Sequence, residues 1–108
     1  LLSASMDFIC QPIIEYVGLD DLIFTKLHVE NNRFSGATNG GFCFGEEKLA
    51  RAIAYVRNDI AQLKNAYFYT DSFTDLPMLE AVGNPVAVSP DRKLAAAARR
   101  RGWMICEW

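Results

Sequence analysis

Five short apolar runs, Leu1–Ser3, Leu22–Thr25, Ala66–Thr70, Pro85–Val88 and Trp103–Cys106, alternate with longer segments of helical periodicity. None of the runs alternates strictly between apolar and polar residues. A strand covered on one face shows a period of two, whereas one covered on both faces reads as a continuous apolar run. The chain is therefore expected to be α/β, a parallel sheet with helices on both faces. Right-handed crossovers would then bring the strand-to-helix turns to one edge of the sheet, where open α/β sheets bind their ligands.

The segments between the runs support this reading. Met6, Ile9, Ile13 and Tyr16, joined by Val17, recur at steps of three or four and predict a first helix, capped by Ser5, bent at Pro12 or starting a second turn there, and ended by Gly18. Residues 26–41 alternate weakly, turn at Asn31-Asn32 and contain Gly36, Gly40 and Gly41, which predicts a small exposed hairpin and loop. After Gly45, the residues Leu49, Ile53, Val56, Ile60 and Leu63 share one face and predict a single long helix. A short helix is expected from Leu76 to Val82, ending at Gly83, and another from the cap Asp91 through Arg101.

At 108 residues, 51% of them hydrophobic, the chain suits one domain, residues 1–108, burying about two thirds of its unfolded surface. A net charge of -2 with interspersed signs gives no field for nucleic acid. No apolar run approaches the roughly 20 residues needed to cross a bilayer, and Leu1–Met6 is too short for a signal-peptide core. Cys10, Cys43 and Cys106 are odd in number and set among apolar neighbours, which predicts free thiols in a reducing compartment, the cytoplasm. The opening Leu1-Leu2-Ser3-Ala4-Ser5 reads as the end of a strand with no room for its beginning and no initiator Met, so the fold is expected to be truncated at its N-terminus.

Four positions carry candidate chemistry. Asp71 follows a buried strand and Asp75 lies four residues on, so both carboxylates reach the carboxyl edge, where magnesium takes oxygen ligands. The competing reading is a capping box, Ser72 with Asp75, before an apolar helix. Lys48, in Gly45-Glu46-Glu47-Lys48, opposes the dipole of the helix it begins; a bound phosphate would reward it, and a solvated pairing with Glu46 or Glu47 is the plainer alternative. Ser3, with the small Ala4 beside it, stands between a strand and a helix where hydroxyl and backbone N–H groups can hold an anion, or where Ser3 and Ser5 simply cap the helix. The order is hydroxyl, lysine, then acids. Receiver domains gather similar groups around magnesium, but with the acids first and the lysine last.

Ser3-Ala4-Ser5, Gly45-Glu46-Glu47-Lys48 and Asp71 through Leu79 together resemble haloacid-dehalogenase-superfamily phosphatases of the phosphoserine-phosphatase-like kind, subfamily IB. Val82-Gly83-Asn84-Pro85-Val86-Ala87-Val88-Ser89-Pro90-Asp91 and Gly102-Trp103 extend the likeness. The resemblance implies that Ser3 and Ala4 bind the phosphoryl group and that Lys48 balances its charge. It also implies that Asp71 ligates Mg2+ and that Asp75 orients the metal shell or Lys48, so that catalytic roles fall on Ser3, Lys48 and Asp75. The family's first motif, an aspartate nucleophile with a general-acid aspartate two residues on, has no match in this chain. A full-length parent would then be a magnesium-dependent phosphomonoesterase working through an aspartyl-phosphate on a small phosphorylated metabolite, with the isolated chain inert. The alternative is a noncatalytic module completed by another chain. In either case an open sheet edge would favour self-association or pairing with the missing N-terminal segment. Asp71-Ser72 stands where phosphoserine phosphatases have Asp-Gly, and Ala4-Ser5 where they have two glycines, so a related small phosphomonoester is as apt a substrate as phosphoserine.

His28 lies in the variable hairpin and reads as a surface residue, and Arg99, Arg100 and Arg101 read as the cationic last turn of a helix. Tyr67, Phe68 and Tyr69 read as sheet core.

Overall fold

The computed structural model describes residues 1–108. Strand β1 (Leu2–Met6) leads into α1 (Asp7–Val17) and back to β2 (Ile23–Thr25), which lies parallel to β1. The hairpin β3 (Leu27–Glu30) and β4 (Arg33–Thr38) precedes α2 (Glu46–Tyr55) and α3 (Ile60–Asn65). Then come β5 (Tyr67–Thr70), a 3-10 turn at Phe73–Asp75, α4 (Leu76–Ala81), β6 (Asn84–Val88), α5 (Arg92–Arg101) and β7 (Met104–Cys106). The parallel α/β class is as the sequence implies. Its strands form two sheets, β1–β2 and β5–β6–β7, and antiparallel pairing is confined to the hairpin.

Several expectations hold locally. Gly18 ends α1 in the left-handed region, φ 78°, with its N–H donating to the Ile14 carbonyl. Asn31 and Asn32 take positive φ at the hairpin turn, a conformation that asparagine tolerates better than most residues. Asp91 caps α5, accepting from the Leu94 N–H at 2.8 Å.

Others are corrected. Ser5 does not cap α1: β1 runs on through Met6, and the Ser5 N–H donates instead to Ser3 Oγ at 3.0 Å. Helix α1 does not start afresh at Pro12 but includes it as one element. It buries Cys10 and Ile14, and leaves the anticipated Ile9, Ile13 and Tyr16 exposed, because the β1–β2 sheet beneath it is only two strands wide. The single helix expected after Gly45 is broken, since Arg57 and Asn58 adopt φ 54° and 62° and turn the chain between α2 and α3.

Two small cores result. Ala52, Leu63, Met78 and Val82 join α2, α3 and α4; Leu79, Ala87, Leu94 and Ala98 join α4, β6 and α5. Phe68 and Ile105 pack on the second cluster, from the helix-covered face of the β5–β6–β7 sheet. Tyr67 and Tyr69 alternate with Phe68 and project to the opposite face, where both are exposed and the Tyr69 ring stacks on Trp108 at 6.3 Å. They are not core residues. The molecule exposes 7335 Å², against about 6,000 Å² for a compact protein of its mass, and so buries about 58% of its unfolded surface rather than two thirds. No helix is long and apolar enough to cross a membrane.

Candidate functional site

The site is built where β5 ends. Thr70, its last residue, donates its hydroxyl to Asp75 Oδ2 at 2.7 Å. The 3-10 turn brings Asp75 back under the strand end, where it is 4% exposed. Lys48, in the first turn of α2, places Nζ 2.8 Å from Asp75 Oδ1, with the two side chains 11% and 6% exposed. That oxygen receives no other hydrogen bond, so the ammonium is its sole partner. A buried pair of this kind adds little net stability, but removing one member strands a charge at a cost of about 3–5 kcal/mol. The Asp75 carboxylate thus lies beside Lys48.

Both plainer readings are thereby tested. Ser72 does cap the turn, with Oγ accepting from the Thr74 N–H at 3.3 Å, but the Ser72 N–H donates to Thr70 Oγ1 rather than to Asp75, so no reciprocal capping box closes. Glu47 pairs with Arg51 at 3.1 Å, leaving Lys48 to Asp75.

Asp71 is exposed, and the chain's ion pairs, Lys48–Asp75, Arg51–Glu47 and Arg101–Glu80, do not include it. Its carbonyl accepts from the Asp91 N–H at 2.9 Å. It lines a cavity of about 410 Å³ with Tyr69, Thr70, Val88, Ser89 and Trp108. A larger groove of about 790 Å³ between α2 and α4 carries Glu46, Glu47 and Glu80 and no cation, which suits an anion badly. Nowhere do three His, Cys, Asp or Glu side chains converge as a metal cage would require. Magnesium usually keeps several waters and takes one or two carboxylates plus substrate phosphate, so one open carboxylate at Asp71 fits that manner of binding.

Ser3 and Ala4 lie in a bulge. Leu2 pairs with Ile23 and Met6 with Thr25, so four steps along β1 oppose two along β2, and Ser3, Ala4 and Ser5 leave the regular ladder. Neither Ser3 nor Asp71 is bonded to the Lys48–Asp75 pair. The bulge is tied to the loop before α2 through Thr25, fully buried, whose hydroxyl donates to the Ala4 carbonyl at 2.7 Å and accepts from the Cys43 N–H at 2.8 Å. Cys43 itself is buried, and that burial pushes its thiol pKa up. The sequence reading missed Thr25, Thr70 and Arg51. A hydroxyl ending a strand was the available signal for Thr70 and for Thr25.

A parallel α/β scaffold with a buried lysine–carboxylate pair at the carboxyl edge defines a class that places charged groups where open α/β sheets bind their ligands. A profile of the haloacid dehalogenase-like hydrolases matches residues 1–80. A probable phosphatase of Mycobacterium tuberculosis is 37% identical over 105 residues, covering 97% of this chain and 36% of the relative. A histidinol-phosphatase of Neisseria meningitidis is 32% identical over 109 residues, covering 97% and 49%. Among solved structures, a Bordetella pertussis protein of unknown function superposes with a TM-score of 0.90 at 32% identity, covering 98% of this chain and 49% of that one. The chain thus spans between about a third and a half of these relatives. It belongs to the haloacid dehalogenase-like hydrolase family.

Proposed function

We propose that the full-length gene product is a magnesium-dependent phosphomonoesterase acting on a small phosphorylated metabolite through an aspartyl-phosphate. The observation that carries this reading is the buried Lys48–Asp75 pair at the end of β5, held by Thr70. The named relatives, a probable phosphatase and a histidinol-phosphatase, support the choice of a phosphate ester. Three free cysteines support a reducing, cytoplasmic setting.

In this mechanism the Ser3 hydroxyl donates to a phosphoryl oxygen, and the small Ala4 side chain lets the backbone approach. The Lys48 ammonium offsets the charge that builds during transfer, and Asp75 with Thr70 fixes that ammonium. Asp71 would hold the magnesium ion, which when bound polarises the phosphoryl group. The attacking carboxylate comes from a segment outside these residues. Its oxygen forms a bond to phosphorus as the ester oxygen leaves with a proton from a general acid, and water then cleaves the acyl phosphate. Strand β1 is paired only with β2, and β5 only with β6, which supports docking of that segment between the two open edges.

Release of phosphate from an aryl phosphate tests the reading. The full-length product should turn over with magnesium, the 108-residue chain should not, and Asp71→Asn in the full-length product should lose about 100-fold or more in kcat, as removal of a group stabilising transition-state charge does. Brisk turnover by the chain alone, or unchanged turnover by Asp71→Asn at saturating metal, would refute it.

A further inference from the structure

Helix α2 is fastened by two cations one turn apart. Lys48 reaches toward the β5 end of the molecule, and Arg51, three residues on and a neighbour on the same helical surface, reaches toward the β2 end. The Arg51 side chain is 19% exposed. Its Nη1 donates to the Phe24 carbonyl, its Nη2 to the Gly40 and Gly41 carbonyls at 2.9 and 2.8 Å, and its Nε to Glu47 at 3.1 Å. A planar fork of donors can serve three carbonyls at once, where a lysine ammonium offers only a point charge. The backbone is shaped to receive it, since Gly40 and Gly41 both sit in the left-handed region at φ 87° and 83°.

Thr25 adds a second fastening through the Ala4 carbonyl and the Cys43 N–H. The loop that delivers α2 is thus tied to the end of β2 by Arg51, and to the Ser3 bulge by Thr25. No side chain caps the start of α2: its N-cap is Gly45, at φ 56°, and the Glu47 and Lys48 N–H groups donate to the Phe44 and Gly45 carbonyls at 3.0 and 3.2 Å.

We infer that Arg51 and Thr25 are positioning residues that set Lys48 against Asp75 and hold it in register with Ser3. The consequence for turnover rests on the phosphatase reading; the positional claim does not. If both residues served only to anchor the hairpin, their loss would leave the environment of Lys48 as it was.

The test is made on the full-length product by brief acylation and mass spectrometry, scoring Lys48 against the exposed Lys26 and Lys93. In Arg51→Met the reactivity of Lys48 should rise about fivefold, the factor that follows loss of one modest interaction. Arg51→Lys should fall between Arg51→Met and the wild type. Thr25→Val should raise Lys48 reactivity, and Thr25→Ser, which keeps the hydroxyl, should match the wild type. Lys26 and Lys93 should not change. Unaltered Lys48 reactivity in Arg51→Met and Thr25→Val overturns the inference; if Arg51→Met does not fold, the Thr25→Val and Thr25→Ser pair decides it. In the turnover assay kcat should fall with KM nearly constant. A wild type without turnover sinks the phosphatase reading, while the Lys48 labelling still decides this one.

Discussion

Asp91 shows how one carboxylate can serve two elements at the edge of the site. It accepts from the Phe73 N–H and the Leu94 N–H, each at 2.8 Å, and these bonds, that from Phe73 foremost, hold its pKa below the ordinary carboxylate range. A carboxylate with a depressed folded pKa adds stability above its unfolded pKa of about 4, and that stability is lost as pH falls through the lower folded value. The stability difference between wild type and Asp91→Asn should therefore be full near neutrality and shrink below about pH 4. Urea midpoints taken across that interval check this, and a constant difference would contradict it. The role of Asp91 as a cap could be read from sequence, since an acid before Arg92-Lys93-Leu94 is a common helix opening. Its bond to Phe73 could not. Lys48 and Asp75 were legible through the order of their motifs, whereas Thr25 and Arg51 bond mostly to backbone groups, which look alike in every sequence.

Among the elements, strands and turn glycines were the most legible, and junctions the least. The five apolar runs all become strands, and the hairpin turns at Asn31-Asn32 as expected. The break at Arg57 and Asn58 is not legible in the sequence because the apolar spacing continues across it, and Leu63 still reaches the core shared with Met78 and Val82. Nor is the Ser3–Ser5 bulge, because register depends on the partner strand. Gly83 marks another such junction. Its N–H donates to the Leu63 carbonyl at 3.1 Å, and a Cβ added there would collide with the Lys64 carbonyl at the end of α3. The steric demand comes from a neighbouring element rather than from its own φ. Gly83→Ala should cost about 1–3 kcal/mol, the usual range for forced overpacking, in equilibrium urea unfolding; a loss within error would mean that α3 yields freely.

At the scale of the whole molecule the chain is longer than it is compact. Its radius of gyration is 15.1 Å, where about 13 Å is usual for this length, and its extents are 50 × 30 × 26 Å. Only 16 of 108 residues are buried, and Phe8, Tyr16, Phe34, Tyr67 and Met104 are among the large apolar side chains facing outward. Composition foretold the apolar content but not its distribution, which depends on how many strands each helix has to lie on. With open edges on β1 and β5, the isolated chain is expected to associate as its concentration rises. Sedimentation across a concentration series checks this, and a strict monomer throughout would count against it.

The bare Tyr67–Tyr69 face and the two open edges also bear on how steeply the protein melts in denaturant. The slope of unfolding free energy against urea follows the area newly wetted, so a chain that buries this little should respond shallowly. A strand docked between β1 and β5 would steepen that response. The slope then gauges the completeness of the fold, whether or not any phosphate is ever released.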